Sequence, residues 1–364
     1  LTATVRNILV CPLGWGLGHT TRMIPLIRKI MTMNCRVIFG GDRWQIDLIR
    51  KEIPEIQCIN FRGFSIKYSG FLPQYIVILI FSPLFWYHSL REHFQLKKLI
   101  KEHNIDIVIS DSRIGLWNRC VKSVLVTHLI RIPLPRLMGI FENLTVPLSR
   151  IVINRFTYCF IPDLPGEVNL SGRLSHRLCL PRNAKYIGIL SRFHGKQEAK
   201  ENIKGKYFCI AIMSGPSPQK EILTQKVIDI LKEQKGNSII LTGNPSSASP
   251  GRQEGNIMIV NHLPQDEWLR VIRQSELIIT RSGYTTIMEL YSLRRSAILI
   301  PTPGQAEQEY LARYLSEKKW FSYIRQKHLG KKSLPVASAN RLPGYSEEEN
   351  DSLLSKALNE LLEQ

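Results

Sequence analysis

The sequence predicts an α/β fold made of two doubly wound parallel-sheet domains. Three observations carry that prediction. Short apolar runs alternate with helical patterns from Arg6 onward. The alternation breaks near residue 187 and restarts at Tyr207. A tight glycine- or hydroxyl-rich loop follows an apolar run once in each half, at Gly14–His19 and at Thr280–Thr286. Alternation of this kind implies parallel strands joined by crossover helices.

The elements read as follows. Arg6–Val10 is a strand, and Thr20–Thr32 a helix with Met23, Ile24, Ile27 and Ile30 on one face. Arg36–Phe39 is a strand ending in Gly40-Gly41-Asp42, and Trp44–Lys51 is helical. Glu92–His103 is a helix leading into the strand Ile105–Ile109. Val124–Thr127 and Tyr158–Ile161 are further strands. Residues 162–186 are rich in proline and glycine, and the linker falls at 187–200. Beyond it, strands at Tyr207–Met213, Ser238–Leu241, Asn256–Val260, Leu277–Thr280 and Ala297–Ile300 alternate with helices at Gln219–Gln234, Pro264–Gln274, Thr285–Ser292 and Glu307–Lys318. Lys331–Gly344 is polar. Ser346 and Glu349 then form a capping box for a last helix with an apolar face from Leu353 to Leu362. The expected boundaries are residues 1–187, 188–340, and a terminal helix, 341–364, packing back on the first domain.

Composition narrows the function. At 364 residues the chain can form two cores, and its 44% hydrophobic content is that of a globular protein. Seven scattered cysteines without a CxxC pair fit reduced thiols in a cytoplasmic protein. The first ten residues read as a strand rather than a secretory leader. The net charge of +19 is uneven, with +14 in residues 1–190 and +5 in the remainder. A basic first half calls for an anionic partner, such as an acidic membrane surface or a phosphorylated molecule. Nucleic acid is disfavoured, because the basic residues do not form stacked aromatic-and-arginine platforms. The apolar stretch Phe71–Tyr87 is broken by Pro73, Gln74, Ser82 and Pro83 and is too short to span a bilayer. It reads either as a core helix or as an interfacial patch beside Arg62, Lys67, Arg91, Lys97 and Lys98.

Two loops carry chemistry. Gly14-Trp15-Gly16-Leu17-Gly18-His19 follows the first strand. His19 lies where open α/β sheets bind ligands, and a histidine there serves as a base or as a helix cap. Asp111, after the strand Ile105–Ile109, is either its partner or a turn cap. In Arg281-Ser282-Gly283-Tyr284-Thr285-Thr286-Ile287-Met288-Glu289, Ser282 and Thr285 can cap and donate to phosphate. Gly283 allows close approach, and Glu289 lies one turn inside. Pro301–Tyr310 adds Glu307 and Gln308, groups suited to sugar hydroxyls. No His/Cys/Asp/Glu cluster has metal-ligand spacing, so neither a metal nor a cofactor is expected.

The pattern RSGxxTxxE, a following strand and PxxxxxxQxY resembles the donor-binding half of GT-B glycosyltransferases. It is similar in particular to the N-acetylglucosaminyltransferases that form lipid II. That resemblance implies two Rossmann-like domains facing across a cleft, with nucleotide-sugar binding in the second and acceptor binding in the first. His19 would be the catalytic base or an acceptor-positioning group, within the loop of Gly14, Gly16 and Gly18. Glu289 would hold the ribose. Ser282 and Gly283 would lie against the diphosphate, with Arg281, Thr285 and Thr286 in the same motif. Glu307 and Gln308 would hold the sugar, Arg192 would contact the nucleotide at the hinge, and Leu263 would mark the segment whose backbone reads uracil. Where the family has a glycine-rich loop, this chain has Ser214-Gly215-Pro216-Ser217-Pro218-Gln219. Its two prolines remove two N–H donors, for which Ser214, Ser217 and Gln219 would substitute. Trp15 replaces a small residue and would narrow or stack against the acceptor site.

The expected activity is transfer of a sugar from a nucleotide-sugar, UDP-linked and perhaps UDP-N-acetylglucosamine, to a hydroxyl acceptor that could be lipid-linked. It is expected to be inverting and metal-independent, at the inner face of the plasma membrane. A nucleotide-sugar hydrolase or 2-epimerase, and a non-enzymatic membrane or nucleic-acid binder, are the alternatives.

Overall fold

The computed structural model describes residues 5–64, 74–195, 206–215, 217–243, 251–330 and 341–363, and the side chains of 74–76, 78 and 79 are not among those described. Residues 1–4 of the leading segment, Lys67, Phe71–Pro73, the linker from 196, Pro216 and the polar stretch 331–340 lie outside the described residues. The chain forms two compact units. One comprises residues 1–67, 78–194 and 346–364; the other comprises 68–77 and 195–345.

The first unit opens with β1 (Asn7–Pro12), α1 (Leu17–Met31), β2 (Arg36–Gly41), α2 (Arg43–Glu52) and β3 (Gln57–Asn60). There follow α3 (Gln74–Glu102), β4 (Ile107–Asp111), β5 (Lys122–Val126), α4 (Glu142–Ile153), β6 (Tyr158–Ile161) and β7 (Ala184–Tyr186). All seven strands are parallel, in the order β3-β2-β1-β4-β5-β6-β7. The order reverses direction between β1 and β4, and the loops leaving these two strands therefore diverge and open a crevice. One sheet face is covered by α3, whose Leu96 packs with Leu9, Cys11, Ile38 and Val108. Further along, Ile153 and Phe156 pack on Leu125, Cys159 and Ile161. Each such side chain stabilises the fold by about 1.5–3 kcal/mol when fully buried.

Two expectations change here. The helix expected at Glu92–His103 is the end of α3, which runs on through Pro83. The core reading of the apolar stretch fails from Ile80 onward: Val77 is buried, but Ile80, Leu84, Trp86 and Tyr87 are exposed.

The second unit contains β8 (Tyr207–Ile212), α5 (Gln219–Lys232), β9 (Ser238–Leu241), β10 (Arg252–Glu254), β11 (Ile257–Val260) and α6 (Gln265–Gln274). It continues with β12 (Ser275–Thr280), α7 (Tyr284–Ser292), β13 (Ile298–Leu299), α8 (Ala306–Glu317) and β14 (Ser322–Tyr323). The order is β10-β11-β9-β8-β12-β13-β14, parallel except for the β10–β11 pair. Here the reversal lies between β8 and β12. Leu223, Val227 and Leu231 of α5 pack on Cys209, Ala211, Ile240 and Ile279.

The last helix, α9 (Glu347–Glu363), belongs to the first unit. Ser346 Oγ accepts the Glu349 N–H at 3.2 Å, as its capping signature predicts. The Asn350 amide donates to the Ile189 carbonyl at 3.1 Å, and Lys29 pairs with Asp351 at 2.8 Å. Gly188 is required beside it: its φ is +79°, and a Cβ there would come within 2.5 Å of Asn350 Oδ1.

Candidate active site

In the first unit the crevice between β1 and β4 brings together residues far apart in sequence. Gly16, with φ +138°, caps the start of α1, and His19 lies in its first turn. Asp111 ends β4. His19 Nδ1 is 3.1 Å from Asp111 Oδ2. Arg22, one turn after His19 on α1, donates from Nε to Asp111 Oδ2 at 2.7 Å, and its Nη2 donates to Oδ1. Ser112 Oγ donates to Oδ1 at 3.1 Å.

Asp111 is fully buried and Arg22 nearly so, while His19 keeps a quarter of its side chain exposed. Burial alone would raise the Asp111 carboxyl. The Arg22 guanidinium and the His19 imidazole outweigh it and hold the acid well below the usual carboxylate range. A carboxylate only accepts, so it selects the His19 tautomer with the proton on Nδ1. Nε2 is then left with its lone pair. Arg22 Nη2, 3.0 Å from the same Nδ1, is also a donor and cannot hydrogen-bond this tautomer; both N–H groups turn to the carboxylate between them.

Arg22 was not anticipated from the sequence, although its three-residue spacing from His19 places both on one helix face. The other loop residues have defined surroundings. A Cβ on Gly14 would stand 2.7 Å from Asp42 Oδ2. Trp15 donates its indole N–H to the Phe64 carbonyl at 2.6 Å, and its ring packs against Phe64 and Phe85 at centroid distances of 6.4 and 6.0 Å. It is thus an anchor of the loop to α3. Gly18 is half-buried, and Arg192 is half-buried with its guanidinium 4.9 Å from the Phe193 ring.

In the second unit, the loops after β8, β12 and β13 meet at the corresponding reversal. Ser214 and Gly215 follow β8, Gly215 with φ +108°. Two of the three side chains expected to replace the missing N–H donors, Ser217 and Gln219, are engaged elsewhere. Ser217 donates to Glu221 at 2.8 Å, and Gln219 Oε1 accepts from Gln326 at 3.1 Å.

After β12, Arg281 and Ser282 are both fully buried, and their side-chain donors are engaged within the protein. Arg281 donates to the carbonyls of Pro301 (3.1 Å) and Gln219 (2.7 Å) and to Gln326 Oε1 (2.7 Å). Its guanidinium ties the three loops together, and burial lowers it to about 10. The Ser282 hydroxyl, expected to face phosphate, donates to the Gln308 carbonyl at 2.8 Å.

Gly283 caps α7 with an ordinary φ of −71°. A Cβ there would meet nothing within 4 Å, so the approach to the positive end of α7 is open. Thr285 and Glu289 are buried on α7 and Thr286 is half-buried. Gln308 is buried on α8, its Oε1 accepting the Thr302 N–H at 2.9 Å, with Glu307 half-buried beside it. Leu263 is buried just ahead of α6.

Two open α/β sheets, each with a built loop cluster at its reversal, are the architecture of the GT-B fold, and the likenesses of sequence and structure make the chain a glycosyltransferase. Its overall fold matches the crystal structure of the glycotransferase of kitacinnamycin with a TM-score of 0.63, at 14% identity, over 99% of this chain and 96% of that one. More narrowly, residues 209–352 match the glycosyltransferase family 28 C-terminal domain. An uncharacterized glycosyltransferase of Methanosarcina mazei is 25% identical over 339 residues, 85% of this chain and 83% of the relative. A UDP-N-acetylglucosamine--N-acetylmuramyl-(pentapeptide) pyrophosphoryl-undecaprenol N-acetylglucosamine transferase of Clostridium novyi is 24% identical over 314 residues, 81% of this chain and 78% of that one.

Proposed function

We propose that the protein moves a sugar from a UDP-linked donor to an acceptor hydroxyl in one inverting displacement. The observation that carries this reading is the His19–Asp111–Arg22 cluster at the strand ends of the first unit. His19 Nε2 takes the proton of the acceptor hydroxyl. The acceptor oxygen forms its bond to the anomeric carbon from the face opposite the leaving group. The bond from that carbon to the diphosphate oxygen breaks, and UDP leaves with the electron pair. The resulting imidazolium is held by the Asp111 carboxylate.

In the second unit, the N-terminus of α7 at Ser282 and Gly283, with the backbone of Ser214 and Gly215, receives the diphosphate. Thr285 and Thr286 stand in the same first turn. Glu289 holds the ribose diol, Glu307 and Gln308 the sugar, and Leu263 marks the base-reading segment. Arg192 adds charge toward the nucleotide. Gly14, Gly16 and Gly18 keep the backbone beside His19 narrow enough for an acceptor. The uridine preference rests on the name of the Clostridium relative. No metal is invoked, because helix dipole and backbone donors meet the leaving charge in this scheme.

The test is UDP release from UDP-N-acetylglucosamine in the presence of a cell-free extract as acceptor source. Wild type releases UDP, whereas His19→Ala does not, although both bind UDP equally in calorimetry. Equal release by the two would remove His19 from the reaction.

A further inference from the structure

The loop that leads to His19 has three glycines in five residues, Gly14, Gly16 and Gly18. Glycine has more backbone freedom than any other residue, so such a loop does not fix its own path. Where His19 lies therefore depends on what holds the two ends. On one side, the Leu13 N–H donates to the Asp111 carbonyl at 3.0 Å, which ties the loop entry to β4. On the other side, one buried side chain of α2 reaches both ends at once. Gln45 Nε2 donates to the Leu13 carbonyl at 3.3 Å and to Thr20 Oγ1 at 2.9 Å. Leu13 immediately precedes Gly14, and Thr20 immediately follows His19. The Leu13 peptide is thus held from β4 and from α2, and the first turn of α1 is tied to the loop entry.

Local chemistry explains why this residue is glutamine. Gln45 lies in the first turn of α2, and its Oε1 accepts the N–H of Asp42, the residue that caps the helix, at 3.0 Å. That is the returning half of a capping box, which glutamate completes equally well. A glutamate carboxylate has no N–H, however, and would set an anion against the Leu13 carbonyl. The carboxamide accepts at one end and donates twice at the other, and here every one of those bonds is made. Gly41 leaves room for it: a Cβ there would stand 3.0 Å from Gln45 Oε1.

We infer that Gln45 is a positioning residue for the transfer step, holding the glycine loop and the first turn of α1 so that His19 Nε2 meets the acceptor hydroxyl. The inference rests on the reading of His19 as the base. Asp111 fixes the His19 tautomer, and Gln45 fixes the backbone that carries the ring. A displacement of about 1 Å at a reacting group costs about a hundredfold in rate.

The test compares wild type with Gln45→Met, which keeps the length of the side chain and removes all three of its hydrogen bonds. Three quantities are measured: UDP release, UDP affinity by calorimetry, and the imidazole nitrogen chemical shifts of protein isotope-labelled at histidine, with the His19 signals assigned from His19→Ala. Gln45→Met should lower kcat by about ten- to a hundredfold, leave UDP affinity unchanged and move the His19 signals. Thr20→Val keeps the shape of its side chain and removes only the bond from Gln45 Nε2 to Thr20. It should change kcat and the His19 signals in the same direction by less, and it decides the question if Gln45→Met does not fold. Unmoved His19 signals or wild-type turnover would overturn the inference, and so would a loss of turnover matched by an equal loss of UDP affinity. A wild-type protein that releases no UDP refutes the transfer reading instead, and the His19 signals then still decide whether Gln45 holds the loop.

Discussion

Replacing Asp111 by asparagine keeps the size of a fully buried side chain and removes its charge. In the native protein Oδ2 accepts from His19 and from Arg22 Nε, and Oδ1 accepts from Arg22 Nη2 and Ser112. Whichever way the asparagine amide turns, its NH₂ faces an Arg22 N–H donor. Arg22, 2% exposed, then keeps a charge with no counterion. Breaking a buried pair in this way costs about 3–5 kcal/mol. His19 also loses the acceptor that fixes its tautomer, and turnover should fall by about 10²–10⁴-fold. The pH dependence has a definite sign. The folded Asp111 carboxyl lies below its unfolded value of about 3.9. Its stabilisation is therefore complete above that value and is lost as the pH falls toward the folded one. Asp111→Asn should lack this acid-sensitive component. Guanidinium unfolding from pH 7 to 3, with UDP release at pH 7, measures both effects. Adding Arg22→Met should recover stability without recovering turnover. An Asp111→Asn protein with wild-type unfolding midpoint and wild-type turnover would refute the reasoning.

Three further outcomes follow from the second unit. Glu289→Ala should weaken UDP binding by about tenfold or more in calorimetry, the loss of a charged hydrogen-bonding group being about 1.5–3 kcal/mol. Gly283→Val should fold normally, because its Cβ has open space and its φ is ordinary, yet should lose UDP affinity by obstructing the start of α7. Arg281→Met should lower the melting temperature, because it strands the carbonyls of Pro301 and Gln219 and Gln326 Oε1. A variant as stable as wild type but unable to bind UDP would instead return Arg281 to the substrate.

Most strands could be read from the sequence because parallel strands buried on both faces are continuous apolar runs. Tyr158–Ile161 and Ser238–Leu241 were expected with the bounds observed. Short strands such as β3, with no residue fully buried, gave no such run. Helix α4 escaped because its apolar stripe faces outward and Pro147 lies inside it. The loops of the candidate site were legible through glycines and hydroxyls at strand ends, but side-chain direction was not. Arg281 and Ser282 look like phosphate ligands in one dimension, whereas their donors turn inward to carbonyls from loops 20 to 62 residues away. Arg22 was hidden for the complementary reason: its partner, Asp111, is 89 residues away and reaches it only through the β1–β4 pairing.

The central claim is that the loops after β8, β12 and β13 hold a nucleoside-diphosphate sugar. A thermal-shift panel of UDP-, GDP-, CDP- and dTDP-sugars tests it most directly. UDP-sugars should stabilise the wild-type protein, by an amount that shrinks in Glu289→Ala and Gly283→Val. No stabilisation of the wild-type protein by any of the four classes would contradict it.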